Sequence, residues 1–143
     1  MNIGYLTDFM NNARSLDLKE AELMQDTPFT EMLLKEVEDA DVLVNERNEV
    51  VAIGGVNYGY DKPVVWMLCT HRVEQNPIEF LRWTKGYLKS LMPHVSHLWN
   101  VAWLGNPLHI KWLTWMGARW YEDITIRTGE TFRRFEFVQE DFV

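Results

Sequence analysis

The chain has 143 residues, a net charge of -7, and hydrophobic and charged shares of 47% and 24%, the balance of one globular domain over residues 1–143 that buries a core without disulfides, and not that of a disordered or membrane protein. No apolar run approaches the roughly 20 residues that span a bilayer, and the opening MNIGYLTDFMNNAR lacks a basic leader with a small-residue cleavage site, so the cytoplasm is the expected compartment. An acid excess with no Lys/Arg cluster anywhere argues against nucleic acid and membrane surfaces as partners.

In chain order, Ile3 to Leu6 predicts a short first strand. Asp17 as N-cap with Glu20 three residues on, followed by Leu18, Ala21, Leu23 and Met24, predicts a helix. Thr27-Pro28 then starts another, with Phe29, Met32, Leu33 and Val37 on one side. Val42 to Val44 and Val50 to Tyr58 are β-rich runs around the polar tetrad Glu46-Arg47-Asn48-Glu49, the pattern of an antiparallel hairpin. Gly54-Gly55 inside the second run suggests a bulge. Val64 to Cys69 is almost continuously apolar, as a strand covered on both faces is, and belongs at the sheet centre.

Asn76-Pro77-Ile78-Glu79 opens a helix that runs to about Met92, with Asn as cap, Pro at the first position and an apolar stripe that includes Phe80, Leu81, Trp83, Tyr87, Leu88 and Leu91. His97 to Leu104 is the next strand, which completes a βαβ unit with parallel strands and a right-handed crossover. Ligand clefts often lie at the carboxyl ends of such strands. Asn106 and Gly117 frame a last short helix. From Ala118 the residues alternate, with Trp120, Glu122, Ile124 and Ile126 facing one way, and Thr128-Gly129 turns the chain into Phe132 to Val138. A bulge at Arg133-Arg134 would keep Phe132, Phe135 and Phe137 on one side.

Cys69 is the single cysteine, so no intramolecular disulfide forms, and its apolar run VVWMLC points to a buried structural thiol. His71, His94 and His97 lack ligand spacing, so no metal is expected. Trp99 and Trp103 fall on the same side of a strand, and Trp112 and Trp115 share a helix face. Core packing accounts for most of the aromatic residues, and an exposed cluster of them would mark a docking surface.

The order of elements and the Asn106 to Gly117 interval resemble GNAT-type N-acetyltransferases. That resemblance implies an α/β (α+β) fold: a mixed central sheet of about six to seven strands with four helices, a central parallel βαβ unit and a C-terminal antiparallel hairpin. The family's last helix carries a Tyr that serves as general acid toward the departing thiolate; Leu113 stands there and has no proton to give. The family also holds the pyrophosphate of acetyl-CoA on backbone N–H groups of a Gly-rich turn before its third helix. The matching places are Val73, Asn76 and Ile78, Pro77 removes one N–H, and Glu74 and Glu79 oppose a diphosphate.

A narrower pattern, from Pro77-Ile78-Glu79-Phe80-Leu81 through Trp99-Asn100, Asn106, His109-Ile110, Trp112-Leu113 and Gly117, is similar to GNAT-like proteins encoded among the head and tail genes of short-tailed bacteriophages. That group includes the small internal virion protein of the T-odd coliphages. The resemblance implies a bacteriophage protein linked to virion assembly or infection, and the missing Gly-rich turn and Tyr make it a catalytically degenerate one without a cofactor. It would bind phage structural proteins or a host protein in virion morphogenesis or genome delivery, in the host cytoplasm or the virion, with a homo-oligomer left open. The alternative is an active acetyl-CoA-dependent N-acetyltransferase acting on a host or phage amine. On that alternative His109, kept neutral near a helix N-terminus, is the catalytic residue, and Cys69, His71, Arg72 and Asn106 are the cofactor-binding residues. The competing readings are a packed His109 beside Trp112, and solvated loop charges at His71 and Arg72.

Overall fold

The computed structural model describes residues 1–25 and 39–142; the helix expected from Thr27 to Val37 lies outside the described residues. Among the described residues six strands form one mixed sheet: β1 (Asp41–Val44), β2 (Val50–Asn57), β3 (Val64–Cys69), β4 (His97–Trp103), β5 (Arg119–Thr125) and β6 (Thr131–Val138), in the order β1-β2-β3-β4-β6-β5. Among the described residues there are four helices, α1 (Ile3–Asn12), α2 (Ser15–Gln25), α3 (Pro77–Leu91) and α4 (Pro107–Met116). β3 and β4 run parallel at the centre, and β5 and β6 close the chain as an antiparallel hairpin. The expected fold class holds. The chain divides into two compact units, Met1–Gly55 with Trp66–Pro77 and Val56–Val65 with Ile78–Val143.

In the first unit the chain begins as a helix where a strand was expected. Asn2 Oδ1 accepts the Tyr5 N–H at 2.8 Å and caps α1. Tyr5, Leu6 and Phe9 recur at helical spacing and pack with Val50, Ile53 and Leu68 in the core of this unit. α2 starts at Ser15, so Asp17 lies inside its first turn and not at its cap. β1 and β2 form the expected hairpin, but the register shifts at Leu43/Val44, while Gly54 pairs in line with Asp41. A Cβ on Gly54 would stand 2.6 Å from the Trp66 carbonyl oxygen, so glycine serves a close backbone approach instead of a bulge. Gly54→Ala is expected to cost about 1–3 kcal/mol, read from denaturant unfolding at an unchanged m value.

In the second unit α3 and α4 follow their predicted frames. Gly117 ends α4 with φ 105°, the left-handed region, and its N–H reaches the Leu113 and Thr114 carbonyls. The β4–β6 ladder is continuous from His97↔Val138 to Trp103↔Phe132. Strict alternation along β6 therefore puts Phe135 and Phe137 on the face of Leu98, Asn100 and Ala102, and Phe132 on the other face with Trp103. The bulge expected at Arg133-Arg134 sits in β5 instead, between Trp120 and Asp123. Ile124 is thereby shifted to the face opposite Trp120. All three Phe are nevertheless buried, because both faces of β6 are covered. Trp112 and Trp115 part company: Trp112 packs on Phe80 with ring centroids 5.2 Å apart, whereas Trp115 is 55% exposed.

Candidate functional site

Cys69, His71 and Arg72 lie in the first unit, and Asn106 and His109 in the second. β3 delivers Cys69 to a site where its side chain is 2% exposed. Burial first, and the Asp17 carboxylate next, push the thiol well above its ordinary pKa, so it stays protonated and unreactive. The Cys69 N–H donates to Asp17 Oδ2 at 2.8 Å, and its carbonyl accepts the Arg14 N–H at 2.9 Å. Asp17 Oδ1 also accepts from Arg14 Nη1 at 2.6 Å, with both side chains less than a tenth exposed.

Beyond Cys69 the chain turns through a 3₁₀ segment, His71–Glu74, before α3. Thr70 Oγ1 accepts the Arg72 N–H, the Thr70 carbonyl accepts the Val73 N–H, and the Arg72 carbonyl accepts the Gln75 N–H. His71 Nε2 lies 3.0 Å from Asn12 Oδ1 at the surface. Arg72 is not a solvated loop charge: its side chain is 9% exposed and forks onto Asp8 at 2.8 and 3.0 Å, while Nη1 also donates to the Val50 carbonyl at 2.9 Å.

Asp8 Oδ2 accepts the Val50 N–H at 2.8 Å. The Arg72 hydrogen bonds first, and that N–H second, hold its carboxyl below the ordinary value of 3.8. A carboxylate whose pKa is depressed by folding adds stability that is complete above the ordinary value and lost as pH falls through the lowered one. The parent is therefore expected to lose more stability below about pH 4 than Asp8→Asn does, as read from urea unfolding at stepped pH. An open pocket of about 320 Å³ beside this pair is lined by Asn2, Gly4, Tyr5, Asp8, Asn48 and Glu49. Its acids face inward partners: Asp8 holds Arg72, and Glu49 Oε2 lies 3.6 Å from Arg72 Nη2.

In the second unit Asn106 is fully buried and opens α4 through its backbone, its carbonyl accepting the Ile110 N–H at 3.3 Å. His109 is the third residue of α4 and half-buried, and Leu113 is buried in the core. Asn100 Nδ2 donates to the Val65 carbonyl at 2.8 Å beside the Val64↔Trp99 pair of the parallel ladder. Asp8 and Asp17 are site residues that the sequence does not reveal. Their partners Arg72 and Cys69 are 64 and 52 positions away, and only the local Arg14-Asp17 spacing hinted at either.

Solved structures share this architecture. A chimera of spermidine N-acetyltransferase SpeG from Vibrio cholerae with hSSAT superposes with a TM-score of 0.69 at 14% identity, covering 99% of this chain and 94% of that one. A GNAT-family acetyltransferase from Bacillus anthracis also gives 0.69, at 9% identity over 94% of this chain and 90% of that one. At such identities the likeness shows the fold, which is the GNAT fold. No curated protein matches the chain. The family model that does match covers residues 40–125, more than half the chain, from the residue before β1 to the end of β5. The chain therefore belongs to the family described as bacteriophage T7, probable scaffold protein Gp13.

Proposed function

We propose that this chain works by binding other proteins in virion morphogenesis or genome delivery, on a GNAT scaffold that does not turn over acetyl-CoA. The β3–α3 connection carries the reading, because a coenzyme diphosphate needs N–H donors there. The N–H groups of Arg72, Val73 and Gln75 are bonded within the connection, and Pro77 has none. The Arg72 guanidinium is held by Asp8, and Glu74 and Glu79 add negative charge. These residues do not suit a diphosphate, which supports a protein without a cofactor. The Cys69 N–H, given to Asp17, offers nothing to a pantetheine arm.

The family's description supports phage structural proteins as the partners, met in the host cytoplasm during assembly or kept in the virion, with a host protein as the other class. The rival reading, acetyl transfer to an amine with His109 as base and Cys69, His71, Arg72 and Asn106 around the cofactor, draws its support from the fold alone. The test is co-sedimentation of the purified chain with phage structural proteins, alongside transfer of labelled acetyl-CoA to amines. The chain should travel with assembly intermediates and transfer nothing above background; transfer without co-sedimentation would overturn the reading. Leu113→Tyr, which restores the family phenol, should yield no transferase activity. It should also cost about 1–3 kcal/mol, because a larger side chain with a hydroxyl enters a filled core.

A further inference from the structure

We propose that the outward face of α3 and α4 is a self-association surface that receives the acid-rich first unit of a second copy of this chain. Charge is segregated along the sequence. Residues 76–121 carry one acid, Glu79, against Arg82, Lys85, Lys89, Lys111 and Arg119. Among the described residues the first unit holds nine acidic residues and four basic ones, the second eight and nine.

Folding turns the scattered bases into a patch. Arg82, Lys85 and Lys89 follow one another at helical intervals on α3 and are exposed, with Ile78, 67% exposed, one turn ahead. On α4, Lys111 and Trp115 stand four apart, both exposed. Lys85 Nζ lies 5.4 Å over the Trp115 ring, which joins the two columns. No two of these bases are adjacent in sequence, so no cluster was visible there.

An exposed Trp with a lysine ammonium over its ring supplies an aromatic anchor, and the neighbouring lysines a polar rim. Its electrostatic complement is on the same molecule, in the acid-rich first unit. A net charge of -7 disfavours a phosphate backbone as the occupant. Association between unlike patches is heterologous, so it continues into rings or filaments. The inference rests on the charge split and the exposed face, and it holds whether or not coenzyme binds.

Sedimentation velocity of the full chain from about 0.01 M to about 1 M sodium chloride tests this, because the screening length falls from roughly 30 Å to roughly 3 Å over that range. At low salt the weight-average mass should exceed the 17.0 kDa monomer and rise with protein concentration; at high salt it should return to the monomer. The double reversal Lys85→Glu/Lys89→Glu should weaken association at least about tenfold with an unchanged thermal melt, and Trp115→Ala should weaken it too. A parent chain that is monomeric at every salt and concentration overturns the proposal without recourse to any variant. So does a reversal variant that melts normally and associates as strongly as the parent. Capture of a DNA duplex by this face in a chain that stays monomeric would assign the patch to nucleic acid and equally overturn it.

Discussion

Asp17→Ala is expected to lower the unfolding free energy by about 3–5 kcal/mol. The substitution removes at once the acceptor of the Cys69 N–H at 2.8 Å and of Arg14 Nη1 at 2.6 Å. Both donors are in buried surroundings, where a lost acceptor is not replaced cheaply by water. Asp17→Asn keeps an oxygen for the Cys69 N–H and loses the charge facing Arg14, so it should fall between parent and alanine variant. Chemical denaturation at a constant m value reads the difference; a loss below about 1 kcal/mol for Asp17→Ala would mean that the two bonds carry little net stability.

Phe80→Ala should cost a similar amount, about 3–5 kcal/mol. Phe80 is buried and meets Trp112 edge-on, at 62° between ring planes. Its removal leaves a cavity where α3 meets α4, the two helices that carry Arg82, Lys85, Lys89, Lys111 and Trp115. Phe80→Ala should therefore weaken both stability and low-salt self-association. Lys85→Glu should weaken association alone, since its side chain lies on the surface. Equal behaviour of these two variants in association, with no stability loss in the first, would separate Phe80 from the helix contact assigned to it.

The helix frames were legible because they rest on local stereochemistry. Asn76-Pro77 and Asn106-Pro107 start helices with a fixed proline φ, and Gly117 stops one in a conformation that side chains resist. The β1–β2 hairpin was equally local. Ile3 to Leu6 was misread because four residues support either period; the deciding Asn2 cap and the Phe9 contact lie outside that window. The β5 bulge was misplaced because a single strand does not reveal which partner carries the extra residue. The expected covering of β3 on both faces is reached at Leu68 and Cys69, while Val64 to Met67 are half-buried.

The candidate site was less legible than the fold. Arg72 reads in sequence as a loop charge, and its tie to Asp8 depends on bringing α1 to the start of β2. The basic face of α3 and α4 was hidden for a related reason: helical intervals of three and four residues place Arg82, Lys85 and Lys89 together only once the helix has formed.

Calorimetric titration of acetyl-CoA into the full chain bears most directly on a GNAT scaffold without coenzyme turnover. The predicted result is no heat of binding up to about millimolar ligand. A saturable isotherm with a dissociation constant of about 1 μM would contradict it.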